Sequence, residues 1–245
     1  MREGRVGRSV DFGSLSYRPA GAGVAAAAIT TGDLRKMSAQ MFRVDPGARL
    51  EATVPDGSDG YLFMLSGNGR IAVDGSEQTI ARETFAAVAE GEKFALANAA
   101  GEPAEVLYVL APPPGAPREH EGLAAPLAVT ARADAPTEYI AGDKKNRRYF
   151  VAHDANHSDR GHAMIVEYEK DTETVMHYHP NAESMFVVLT GDIRFIVDGQ
   201  PTVLRRGQAV YFPMNDRHAL RCADGTTSAS FLEFHIPGAF TTVKL

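Results

Sequence analysis

Cysteine is nearly absent: the 245-residue chain has one, Cys222. A single thiol excludes an internal disulfide framework and fits a reducing compartment. Long apolar runs are missing too, and no stretch approaches the roughly 20 residues of a membrane-spanning helix. The alanine-rich run Ala20–Ile29 is short, and Asp11, Tyr17 and Arg18 precede it, so it does not read as a signal peptide. The expected location is the cytoplasm. Positive charge is not in excess. A net charge of −6 argues against nucleic acid or an anionic membrane as partner and leaves a small molecule as the expected one. No glycine-rich phosphate loop is present, because Gly67-Asn68-Gly69 leads into a strand-like run and not into a helix. Nor does any long amphipathic helix stand out. Histidine is absent from residues 1 to 119, although eight occur in the whole chain.

What the chain does hold is a succession of short alternating segments. Ser38–Pro46 alternates apolar and polar residues as a half-buried strand does. Strand-like runs follow at Tyr61–Ser66, Arg70–Val73, Phe85–Val88 and Val106–Leu110, with Gly and Asp turns between them. Ala111-Pro-Pro-Pro-Gly115 then breaks the pattern, since prolines cannot continue a central strand. A second set of strand-like runs begins near Arg148–Val151 and ends at Ser230–His235.

The two sets repeat. With Gly67 laid on Gly191, residues 60–101 align without a gap on 184–225, and Leu65, Gly67, Arg70, Val73, Ala95 and Leu96 meet identical residues. Asp74-Gly75 and Asp198-Gly199 form the same hairpin-turn signal. The reading is an all-β chain of two domains, each a sandwich or barrel, arisen by internal duplication. Its expected divisions are an N-terminal arm, irregular or a short edge strand (1–37), a first barrel (38–115), a linker (116–136) and a second barrel (137–245).

Chemistry concentrates in the second barrel. His177 and His179 lie two apart on an extended segment, so their imidazoles point to the same side. Glu183 follows after a short turn, and His218 stands further on. Imidazoles with one carboxylate suit a divalent transition ion, whether Mn, Fe, Ni, Zn or Co. Opposite His218 in the repeat stands Phe94, and opposite the paired histidines are Ala52, Thr53 and Val54, so the first barrel is expected to be metal-free. One detail of spacing is open. Seven residues separate Glu183 from Gly191, and Ser184 is the residue separated from it by six. A one-residue shift turns a strand side chain to the other face. Either the chain bulges near Ala182, or Glu183 is not a ligand.

These motifs resemble those of the cupin superfamily, written G-x5-H-x-H-x3,4-E-x6-G and G-x5-P-x-G-x2-H-x3-N. The second fits from Gly207 through Pro213 to His218, with Asn215 and Cys222 replacing the inner glycine and the final asparagine. The first lacks its leading glycine. The resemblance covers roughly residues 38–110 and 148–236. It implies a bicupin of two jelly-roll barrels, with one divalent metal on His177, His179, Glu183 and His218, as a monomer or a homodimer. It also implies an enzyme acting on a small oxygen-rich metabolite by dioxygenase, isomerase, decarboxylase or hydrolase chemistry. Two alternatives stand beside that: a manganese hydrolase like (S)-ureidoglycine aminohydrolase, and a non-catalytic binding protein with a structural metal. Two further polar residues are weak catalytic candidates. Arg194 suits a substrate carboxylate but shares its place with Arg70 in the other half, and His235 alternates with Glu233 and Phe231 on the last strand.

Overall fold

The computed structural model describes residues 7–32, 34–152, 154–197 and 199–245. His153 and Asp198 lie outside the described residues. Strands make up the regular structure, and the only helical turns among the described residues are Phe12–Ser14 and Ala141–Asp143. No helix is long and apolar enough to cross a membrane. The chain forms two compact units. One takes Leu15–Ala135 with Phe150–Arg160, and the other takes Met1–Ser14, Pro136–Tyr149 and Gly161–Leu245.

The first unit pairs a seven-stranded sheet with a four-stranded one. The larger runs in the order Leu127–Ala131, Thr84–Val88, Asp59–Ser66, Ala104–Ala111, Ser38–Val44, Val24–Ala28 and Arg18–Gly21. Its core holds Leu50, Leu62, Val73, Val88 and Tyr108 around Phe94, whose ring is fully buried. Complete burial of that ring stabilises the unit by about 1.5–3 kcal/mol. The histidine place of the other unit is therefore filled here by an apolar ring, with Tyr108 beside it at 5.6 Å.

The second unit pairs a seven-stranded sheet with a five-stranded one. The larger runs Arg8–Asp11, Gln208–Phe212, Glu183–Thr190, Ser228–Ile236, His162–Glu169, Lys145–Val151 and Thr137–Ile140. The smaller runs Gln200–Arg205, Asp192–Val197, His218–Cys222, Glu173–Tyr178 and Val243–Lys244. Phe186, Val188, Phe212, Phe231, Phe195 and Leu220 build its core. Strand starts agree with the repeat: Asp59, Asn68, Ser76 and Thr84 in one unit answer to Glu183, Asp192, Gln200 and Gln208 in the other, at one constant offset.

Two of the expected divisions carry strands. The arm takes the edge-strand form, since Arg8–Asp11 pairs with Gln208–Phe212, and Val24–Ala28 pairs with Ser38–Val44. The linker is likewise partly strand, since Leu127–Ala131 pairs with Thr84–Val88. All five of its residues are half-buried. Both Arg8–Asp11 and Leu127–Ala131 satisfy the open backbone edge of a sheet, a requirement that leaves little trace in side-chain pattern.

Candidate metal centre

The Glu173–Tyr178 strand carries His177, and the His218–Cys222 strand pairs His177 directly with His218. His179 follows the first strand. The ligand atoms of His177, His179 and His218 lie within 4.8 Å of one another, and all three rings are buried. The turn before His218 needs a left-handed residue, and Asn215 supplies it at φ 66, as Gly91 does at φ 76 in the other unit. Asparagine tolerates that region better than most side chains, which explains its place where the motif has glycine.

Each imidazole has one nitrogen committed to the backbone. His177 Nδ1 lies 2.8 Å from the Val175 carbonyl, His179 Nδ1 3.0 Å from that of Thr241, and His218 Nδ1 3.0 Å from that of Asp216. A carbonyl only accepts, so Nδ1 donates and Nε2 keeps its lone pair. The Nε2 atoms of His179 and His218 are buried without a hydrogen-bond partner. Burial lowers all three histidines, with the neighbouring imidazoles adding to it for His179 and His218; His179 is brought to about 4. Neutral, oriented and unpaired Nε2 atoms are what a divalent transition ion requires.

Glu183 does not join the cluster. The Glu183–Thr190 and Ser228–Ile236 strands pair in step from Glu183↔Ile236 to Val188↔Phe231, and the irregularity falls between Val188 and Thr190. No bulge therefore rescues Glu183 near Ala182. Strand alternation places Ser184 on the face of Phe186 and Val188, which are core residues, and Glu183 on the opposite face. Asp59 begins the matching strand in the other unit, where Leu62 and Met64 are the core residues, and it too lies on the face away from them. The extra residue is absorbed next to Gly191 (φ 66), where a Cβ would sit 2.4 Å from the Ser228 carbonyl oxygen.

A different carboxylate reaches the site. Glu233 and His235 lie on the inner face of the Ser228–Ile236 strand and line a cavity of about 400 Å³ that also exposes His177 and His179. His235 Nε2 lies 2.5 Å from Glu233 Oε1, and its Nδ1 lies 2.9 Å from Ser184 Oγ. Its ring meets His179 at 4.6 Å and stacks on Phe240 at 4.0 Å. Burial works to raise the Glu233 carboxyl, but the charge and hydrogen bond of His235 hold it below the usual range. The alternation Phe231-Glu233-His235 was the sequence signal for this pair. Arg194 is elsewhere: its guanidinium donates to Asp224 at 2.7 Å, an ion pair on the surface. The C-terminal segment was not foreseen as part of the site. Asn181 anchors it through the Ala239 carbonyl and the Thr241 amide, so that Thr241 meets His179.

His162, on the neighbouring strand, is brought down to about 4 by burial first and by His235 second, with Glu233 opposing and Arg147 adding. It is neutral in the fold, whereas the unfolded chain takes up its proton near the ordinary value of 6.5. Stability from this residue is whole above about pH 6.5 and falls towards pH 4, by about 1.4 kcal/mol per pH unit. His162→Gln, compared with the parent by urea unfolding in chelator at pH 7 and pH 5, should flatten that loss. Equal slopes for the two proteins would contradict a neutral, half-buried His162.

Residues 164–235 match the model of the cupin domain family. No curated protein matches the chain in sequence. Solved structures of similar fold include the protein Ylba from E. coli, with a TM-score of 0.78 at 13% identity over 99% of this chain and 97% of that one. A deletion mutant of Bacillus subtilis oxalate decarboxylase OxdC gives 0.72 at 15% identity, over 97% and 79%. A cupin 2 conserved barrel domain protein from Leptotrichia buccalis gives 0.67 at 16% identity, over 96% and 98%.

Proposed function

From a chain with the bicupin fold, whose second unit carries the three-histidine cluster, we infer a metal-dependent enzyme acting on a small oxygen-rich metabolite. One divalent transition ion would be held by the Nε2 atoms of His177, His179 and His218. The observation that carries this reading is the pair of buried, unpartnered Nε2 atoms on His179 and His218, each fixed by a backbone bond at Nδ1. When bound, such an ion supplies Lewis-acid polarisation of a substrate oxygen.

The cavity wall favours an enzyme over a binding protein with a structural metal. A purely apolar wall would suit storage, whereas this one brings Glu233, His235, His162 and Arg147 beside the cluster. Glu233 accepts from His235 Nε2, and His235 Nδ1 lies 2.9 Å from the Ser184 hydroxyl oxygen. These two contacts fix the His235 ring against His179. Phe186 and Leu220 line the apolar side of the cavity. Decarboxylation, dioxygenation, isomerisation and hydrolysis are all compatible with this constellation, because fold alone does not select a reaction.

The test is metal analysis of protein purified without chelator. Close to one equivalent of Mn, Fe, Ni, Zn or Co per chain is expected, lost on dialysis against chelator and regained from added ion. The reloaded protein is then screened with small hydroxy, keto and carboxylic acids for oxygen uptake and carbon dioxide release. A chain that retains no transition metal at pH 7.5, even with a tenfold molar excess supplied, would sink the reading.

A further inference from the structure

The Lys145–Val151 strand lies at the side of the cavity, and alternation sorts its residues. Asn146 and Arg148 bond to Glu167 on one face, while Lys145, Arg147 and Tyr149 line the cavity on the other. Lys145 is paired with Asp143 at 2.8 Å. Arg147 is not matched in that way: Glu138 stands 3.9 Å from its Nη1, and its Nε is buried with no hydrogen-bond partner. A buried, unsatisfied guanidinium N–H facing a cavity is costly, and a bound acceptor removes the cost.

Charge points the same way. With Glu183 on the far face of its strand, three neutral imidazoles would leave the two positive charges of an ion uncompensated. Of the three carboxylates that line the cavity, Glu233 is already engaged by His235 and Asp143 by Lys145, and Glu173 is exposed to solvent. Arg147 adds a further positive charge, which is felt at Glu233 and His162. The site thus lacks an anion on two counts, and a cavity of about 400 Å³ is of a size for a small metabolite.

Resting on the metal-site reading above, we propose that this cavity takes a small carboxylate substrate, whose carboxylate accepts from Arg147 while another oxygen faces the three-histidine cluster. Arg147 is then a specificity-determining residue. The ligand chemistry is a planar carboxylate, for which an arginine fork is suited in geometry and a lysine less so.

The probe is malonate, with malonamide as its uncharged counterpart, titrated calorimetrically into the full chain with and without manganese. Metal content is measured on every sample. Malonate should bind and malonamide should not. Arg147→Gln should weaken malonate by about 10- to 100-fold, the range for a hydrogen bond to a charged group, and Arg147→Lys should fall between. Manganese stoichiometry and melting temperature should stay as in the parent. Malonate binding equal in parent and Arg147→Gln, or malonamide binding as tightly as malonate, would overturn the proposal. Loss of manganese from the parent would instead count against the metal site, and the metal-free titration would still report whether Arg147 recognises the anion. If Arg147→Gln fails to fold, the decision passes to Arg147→Lys, for which unchanged affinity overturns the proposal.

Discussion

His218→Ala and His218→Gln are expected to abolish metal retention, while Glu183→Gln leaves it near one ion per chain. His218 is almost fully buried and its Nε2 has no partner in the protein. Removing it takes away one of three donors that lie within 4.8 Å of each other. Loss of a residue that merely orients a ligand costs about 10- to 100-fold in metal affinity, and loss of the ligand itself should cost more. The alanine variant also empties space against Phe212, which stacks on the imidazole at 4.3 Å, and that cavity costs about 2–4 kcal/mol. Glutamine retains more of the volume and separates the two effects. The unit should still fold, since Phe186, Phe195 and Phe231 form a core independent of any ion. Metal content by mass spectrometry and melting curves with and without manganese read both quantities. Parent-like manganese in His218→Gln, or its loss in Glu183→Gln, would require the ligand set to be redrawn.

Arg160→Ala should be the most destabilising single change in the first unit. Asp59 is wholly buried, with Tyr61 Oη 3.1 Å away, the Leu123 amide at 3.3 Å and the Ser158 hydroxyl in contact. Arg160, itself 6% exposed, reaches it at 3.2 Å and also meets Glu90 and the His120 carbonyl. Burial raises the Asp59 carboxyl, and Ser158 and Arg160 pull against that. Deleting the cation leaves a buried carboxylate without its counter-charge, which costs about 3–5 kcal/mol. Asp59→Asn in the same chain should restore part of the loss, because an amide needs no counter-charge. Guanidinium unfolding of the single and double variants measures this. A loss below about 1 kcal/mol for Arg160→Ala would mean that the pair is screened and not structural. Asp59, which holds the place of Glu183 in the repeat, is thus engaged in holding this unit together.

Much of this was legible in the residues. Alternation and Gly/Asp turns mark the strands, and the repeat places Phe94 opposite His218. The His-x-His spacing set two imidazoles on one side, a consequence of local strand geometry alone. Other features depended on pairing partners. Whether Ser184 or Glu183 faces inward is a one-residue question, decided by where the sheet absorbs its extra residue, and that lies at Val188–Thr190. The edge strands Arg8–Asp11 and Leu127–Ala131 owe their form to open backbone edges and not to a side-chain pattern.

By itself, the sequence determined an all-β chain, the two sets of strands, and three histidines as the chemical centre. Those properties follow from periodicity and spacing within a few residues of each other. Only the tertiary structure decided that Glu233 and His235 face the cluster in place of Glu183, that Arg147 enters the cavity, and that Thr241 orients His179. These residues come from strands and a terminal segment far apart in the chain, and long-range backbone pairing, which no local pattern encodes, is what brings them to one cavity.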